Sequence, residues 1–256
     1  MNNLLAALMF FTRLPFHRIR QVPADSFRHV TGWWSVCGWL TGGLSALTFW
    51  LVAKVAVTEI AIVLALLVRV LLMGALHEDG LADFLDGFGG GTDREGTLRI
   101  MKDSHIGTYG VIGLIFYFLL SFVILVGIQT QYIPVIILSS DVFSKCISSH
   151  IVWFLPYARP EQESKNRTVY QHPSATEEIL TIASGVFAIG LLFYSGAGIS
   201  WISNYLRVCI VAVVPFLVFL LLVLLCRKKI GGYTGDCCGA MALITELSFR
   251  LVTALI

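Results

Sequence analysis

Apolar runs of about twenty residues recur along the chain, and short polar stretches separate them. A helix rises 1.5 Å per residue, so about 20 apolar residues cross the hydrocarbon of a bilayer. On that measure residues 31–53, 58–76, 107–128, 131–155, 178–200, 207–226 and 238–256 are seven expected transmembrane helices. The first 16 residues are also apolar, but Arg13, Pro15, His17, Arg18 and Arg20 close that run early. An interfacial or half-inserted helix is expected there, not a cleaved signal peptide. The fold class is therefore all-α: a polytopic helical bundle integral to a membrane.

Composition agrees. The chain is 57% hydrophobic and 13% charged, where a soluble domain carries about 25% charged residues. Disorder, a soluble globule, a coiled coil and a disulfide-rich secreted module are excluded. A net charge of +2 gives no basis for a nucleic-acid partner. Cys37, Cys146, Cys209, Cys226, Cys237 and Cys238 have no C-x-x-C spacing and read as inert membrane thiols, not as a zinc site. Thirteen of the 18 lysines and arginines fall in four segments: the N-terminal region, 77–106, 156–177 and 227–237. The alternate connections hold little but Lys54. By the positive-inside rule the four rich segments are expected to face the cytoplasm.

Seven of the chain's 16 acids, Glu78 to Asp103, gather in one of those segments. Asp79, Asp83 and Asp86 are spaced i, i+4, i+7 and share one face of a helix. Like charges at that spacing repel, and a divalent cation reverses the effect. All-oxygen ligands suit Mg²⁺ or Mn²⁺, ions that often bind substrate phosphates as well. The bland alternative is a solvated acidic face. Gly87, Gly89, Gly90 and Gly91 are expected to end the helix, as an anion-binding turn or a flexible loop. Lys102-Asp103-Ser104 before the next span suits phosphate contact, or capping of that span by Asp103 or Ser104. Gly231-Gly232-Tyr233-Thr234-Gly235-Asp236 follows the basic triplet Arg227-Lys228-Lys229, which reads as a topology anchor. Arg69, Asp141, Lys145, Glu246 and Arg250 lie inside expected spans. Asp141 and Lys145 at i, i+4 are placed to neutralise each other, and Arg69 and Arg250 to pair with Glu246 or snorkel.

Carboxylates, glycine loops and Lys/Arg on one side of a membrane are the equipment of metal-assisted phosphoryl transfer. There is no P-loop, G-x-S-x-G or H-E-x-x-H motif.

At these residues the chain resembles the cobalamin synthase (adenosylcobinamide-GDP ribazoletransferase) family. The resemblance runs through most of the length. It is carried by Thr12-Arg13-Leu14-Pro15, by His77-x-Asp79-Gly80-Leu81-Ala82-Asp83-x-x-Asp86-Gly87, by Lys102-Asp103-Ser104-x-Ile106-Gly107-Thr108-x-Gly110, and by Gly231-Gly232-x-Thr234-Gly235-Asp236-x-x-Gly239-Ala240. It implies a Mg²⁺-dependent enzyme integral to a prokaryotic cytoplasmic (inner) membrane that joins adenosylcobinamide-GDP to α-ribazole or its 5′-phosphate and releases GMP. His105 and Lys145 stand where the family pattern would put arginine, and Pro160–Arg167 replaces a glycine-bearing stretch.

The combined expectation is one membrane-embedded catalytic domain, residues 1–256, with its active site on the cytoplasmic side. Asp79, Asp83 and Asp86 hold Mg²⁺. Asp103 or Asp236 completes the metal shell or acts as general base, and His77 is a second candidate base unless it bonds a backbone carbonyl. Arg13, Lys102 and Arg159 contact phosphate, and Ser104 and Thr234 contact substrate. The partners are the two small-molecule substrates and the lipid bilayer, with no nucleic acid; a homo-oligomer is compatible with the reading. Two alternatives stand beside it. A CDP-alcohol phosphotransferase would carry A-R soon after D-G, and here Asp83 follows Ala82. A transporter would use Arg69, Asp141, Lys145 and Glu246 as a charge relay and would carry internal repeats.

Overall fold

A helix satisfies its own backbone hydrogen bonds, which hydrocarbon cannot do for it. The apolar runs accordingly form helices in a computed structural model that describes residues 2–159, 169–195 and 201–256. Among these residues the order is α1 (Asn2–Phe11), α2 (Trp34–Val52), α3 (Thr58–Met73), α4 (Leu76–Gly90), α5 (Arg94–Lys102), α6 (Thr108–Val126), α7 (Ile133–Ser149), α8 (Ile151–Phe154), α9 (Ala175–Tyr194), α10 (Trp201–Ile230) and α11 (Gly235–Leu255). Short 3₁₀ segments at Phe16–Arg18, Ala24–Trp33 and Thr130–Tyr132 connect them. Residues 196–200 of the fifth expected span and the stretch Pro160–Arg167 lie outside the described residues.

Six helical stretches among the described residues are long and apolar enough to cross a membrane, and the pair α3 and α4 makes a seventh, bent by 89°. The expected spans match α2, α3, α6, α7 with α8, α9, α10 and α11. Boundaries differ by a few residues, and one difference shortens an expected loop. A loop is expected from residue 227, but α10 runs through Arg227, Lys228 and Lys229 to Ile230. Lys and Arg are good helix formers and favour a helix C-terminus. The triplet also does more than anchor topology. Arg227 donates to the carbonyl of Phe154 at 3.0 Å and Lys229 to that of Gly91 at 2.7 Å.

The bundle is built around α7. Of an apolar 18-residue window in Thr130–Phe154, 83% of the residues are buried, against 22% in the corresponding window of α10. Helix α7 packs on α2, α9 and α11. Helix α10 turns Leu217, Leu221 and Leu224 outward, a face suited to lipid. Inside the bundle the charges pair as expected. Lys145 bonds Asp141, and Thr41 donates to Asp141 at 2.6 Å. Arg250 bonds Glu246, and Arg69 reaches both Glu78 (2.9 Å) and Glu246 (3.4 Å).

The polar connections meet at one end of the bundle. Arg94 donates to the carbonyls of Ile230 (2.9 Å) and Ala158 (2.6 Å). Ala158 N donates to Tyr233 O at 2.8 Å, and Tyr233 N to Pro156 O at 2.9 Å. Trp33 donates to Glu177 at 2.9 Å, tying the start of α2 to that of α9.

Candidate active site

The site begins at a break in the chain. Helix α3 ends with Gly74 at φ +62°, and the amides of Gly74 and Ala75 bond Leu71 O and Val70 O. This is a Schellman stop, which needs the left-handed region that glycine adopts without cost. Ala75 adopts it too, at φ +56°, where a side chain costs on the order of 1 kcal/mol. Two left-handed residues in succession turn α4 by 89° from α3. Arg13 braces the turn: its amide donates to Leu72 O at 2.7 Å, and a Cβ on Gly74 would strike its side chain.

Helix α4 then crosses the start of α11. A Cβ on Gly80 would stand 3.0 Å from Asp236 O, and one on Gly239 would stand 3.2 Å from His77 Cα. The two glycines let the backbones approach, and that closeness sets Asp79 and Asp236 beside each other's helix. Thr234 is the N-cap of α11, accepting from Cys237 N at 3.4 Å, and it also donates to Asp236 at 3.3 Å. It is buried and positions Asp236.

Asp79, Asp236, Arg159 and His77 line one cavity, whose empty space is about 850 Å³ with its open mouth included. Arg159 is held by a 2.7 Å bond to Leu98 O. The other wall is aromatic: Phe10, Phe11, Trp34, Tyr157 and Tyr170. Phe11 and Trp34 stack with centroids 5.0 Å apart and planes 7° apart. Burial pushes the Tyr157 hydroxyl up to about 12, so it is a neutral donor at physiological pH. Thr31 Oγ1, Trp34 Nε1 and both ring nitrogens of His77 are buried without a hydrogen-bond partner. Such atoms cost about 1–3 kcal/mol each when left unpaired. His77 therefore bonds no backbone carbonyl.

The other sequence candidates lie elsewhere. Asp83 is buried one turn along α4 and does not line the cavity. Lys102, Asp103 and Ser104 are exposed and also outside it. Asp103 binds His105, whose amide and ring hold its carboxyl below the usual range. Lys145 is bound to Asp141 and Thr41, so neither position that departs from the family pattern faces the cavity. Asp86 has another task. It accepts from Gly107 N at 2.7 Å and Gly110 N at 2.9 Å, capping α6 from 21 and 24 residues away. Asp103 and Ser104 do not cap it. Asp86→Ala leaves two amides at the helix start without this acceptor, so a loss of about 1–3 kcal/mol is expected. Thermal melting in detergent checks it; Asp86→Asn, which keeps one acceptor, should melt above Asp86→Ala.

The glycine run does not end α4 at Gly87. The helix continues to Gly90 because α5 packs against it: a Cβ on Gly87 would fall 2.3 Å from Met101, and one on Gly91 2.3 Å from Thr97. Phe10, Phe11, Thr31, Trp34, Tyr157, Tyr170 and Cys238 line the cavity but carried no sequence signal beyond apolar or aromatic character.

A family model described as cobalamin-5-phosphate synthase matches residues 3–254. The chain belongs to the cobalamin-5-phosphate synthase family. An adenosylcobinamide-GDP ribazoletransferase of Shewanella baltica (strain OS185) is 37% identical over 95% of this chain and 90% of its own length. One of Shewanella sp. (strain W3-18-1) is 37% identical over 98% and 93%. No solved structure matches. In this cobalamin-5-phosphate synthase family member, the His77–Gly87 and Gly231–Ala240 motifs form the cavity's polar wall. Thr12–Pro15 braces the turn before α4, and Lys102–Gly110 leads into the helix that Asp86 caps.

Proposed function

We propose that the chain is a membrane transferase that joins adenosylcobinamide-GDP to α-ribazole or its 5′-phosphate, releasing GMP and forming adenosylcobalamin or its 5′-phosphate. The observation that carries this reading is that Asp79, Asp236 and Arg159, from three separate parts of the chain, line one cavity with an aromatic wall. Such a cavity suits a substrate with a diphosphate and flat rings. The acceptor hydroxyl forms a bond to the phosphorus beside the corrinoid side chain as the bridging P–O bond to GMP breaks. Asp236 is the base that takes the hydroxyl proton, and Arg159 holds phosphate oxygens.

Mg²⁺ fits the site's chemistry. It binds through one or two carboxylates, water and substrate phosphates in preference to a closed protein cage. Among the described residues no three His, Cys, Asp or Glu side chains form a complete metal site, which leaves substrate oxygens to finish the shell. Asp79 would hold the ion together with water and substrate oxygens, with Asp83 one turn further along α4 and Asp86 committed to α6. When bound, it neutralises charge on the diphosphate. Thirteen of the 18 basic residues fall in four segments of the sequence that alternate with poorly charged connections, which supports a cytoplasmic active site.

Purified protein in lipid, given adenosylcobinamide-GDP and α-ribazole 5′-phosphate, is expected to release GMP only when Mg²⁺ is present. Release of CMP from CDP-alcohols, or solute flux without nucleotide release, would overturn the reading.

A further inference from the structure

The transfer reaction needs the aspartates and Arg159, but it leaves the other wall of the cavity unexplained. That wall combines two features that belong together only when a ligand is present. Phe10, Phe11, Trp34 and Tyr170 line it, with Phe11 and Trp34 stacked on each other. Among them, Thr31 Oγ1, Trp34 Nε1 and both nitrogens of His77 are buried and unpaired, and the three residues are at most 2% exposed. Simple core packing would not retain four unmet polar atoms around one opening. A flat ligand with a hydrogen-bonding edge would satisfy the hydroxyl, the indole N–H and one ring nitrogen of His77.

We propose that this aromatic chamber is the subsite for the guanine base of the donor nucleotide, which stacks on the aromatic wall while Trp34, Thr31 and His77 read its edge. The assignment rests on the transferase reading above. Its chemistry is specific. The indole N–H of Trp34 only donates, a neutral imidazole offers one donor and one acceptor, and a threonine hydroxyl does either. Guanine presents acceptors at O6 and N7 and donors at N1 and its 2-amino group. It can answer the hydroxyl, the indole N–H and either ring nitrogen of His77. An azole bound to ribose through one ring nitrogen keeps a single polar ring atom and would leave most of them unmet. Position supports the same choice. His77 and Asp79 are two residues apart on α4 and line one cavity, so a base at His77 puts an attached diphosphate toward Asp79, Asp236 and Arg159.

The test is equilibrium binding to the purified full chain in lipid nanodiscs, by calorimetry, of GMP, AMP, ribose 5-phosphate and α-ribazole. For the wild-type chain, GMP is expected to bind at least about tenfold more tightly than AMP, and ribose 5-phosphate more weakly than either. Trp34→Phe keeps the stacking ring and removes the N–H; Thr31→Val keeps the shape and removes the hydroxyl. Each is expected to weaken GMP about five- to tenfold, to leave ribose 5-phosphate unchanged, and to raise KM for the GDP-linked donor with little change in kcat. Losses confined to α-ribazole would overturn the proposal by giving the chamber to the acceptor base. Equal wild-type affinity for GMP and AMP would overturn it even if both variants fail to fold. A chain that shows the GMP preference but never transfers would instead refute the transferase reading.

Discussion

Asp79→Asn and Asp236→Asn each lower GMP release by at least about 10²-fold, while both proteins still insert and fold. The magnitude follows from the change. Asparagine keeps the shape of aspartate and removes the charge that a divalent cation requires at Asp79 and the basicity that the proton transfer requires at Asp236. Disturbing even the groups behind metal ligands commonly costs 10–100-fold in affinity or activity. Asp79 is exposed on the cavity wall. Its replacement should therefore leave the melting temperature within a few degrees of wild type, and raising Mg²⁺ should recover part of the activity. Asp236 is buried and accepts from Thr234, so a modest loss of stability accompanies its larger loss of turnover, and as the assigned base it should not be rescued by metal. Single-turnover assays in lipid, with melting curves beside them, check both. Normal turnover by Asp79→Asn would remove the carboxylate wall from the mechanism.

Much of the bundle could be read from hydrophobic pattern because bilayer thickness fixes helix length. The spans near α2, α6, α7, α10 and α11 needed no other information. Helix α3, with 16 residues, rises only about 24 Å, and its expected end at residue 76 conceals the turn. The expected span ran through Gly74, and Ala75 in the left-handed region is a conformation that alanine does not announce. The 89° bend was therefore hidden. The pairing of Asp141 with Lys145 was legible because i, i+4 on a helix is a local geometry.

The i, i+4, i+7 spacing of Asp79, Asp83 and Asp86 gave the helix face, yet a shared face does not decide what each carboxylate meets. Asp86 meets the start of α6, a partner 21 residues away that spacing cannot foresee. The polar half of the cavity was visible as H-x-D-G and G-D motifs. Its aromatic half was not, since Phe11 and Trp34 look like any residue at the edge of an apolar run. Only the fold, which brings α1 against the start of α2 and α4, separates a stacking wall from ordinary core.

Removing Arg69 is expected to cause the largest loss of stability of any single substitution considered for this chain. Its guanidinium is 1% exposed and bonds Glu78 (2.9 Å), Tyr117 (2.8 Å) and Glu246 (3.4 Å). Tyr117 donates onward to Glu246 at 2.8 Å, and Arg250 bonds Glu246 from the next turn of α11. Two arginines thus face two glutamates, so the quartet is neutral only while complete. Arg69→Met keeps the stem and leaves Glu78 buried without its cation. Breaking a buried pair from one side costs about 3–5 kcal/mol, which for a chain of this size lowers the melting temperature by on the order of 10 °C. The double variant Arg69→Met, Glu78→Gln restores charge balance and should recover much of the loss. Because Glu78 precedes Asp79 on α4, the single variant should also lower turnover in molecules that remain folded. Melting of both variants in detergent decides the matter. An Arg69→Met protein as stable as wild type, or a double variant no better than the single, would mean that the quartet does not hold α4 against α3, α6 and α11.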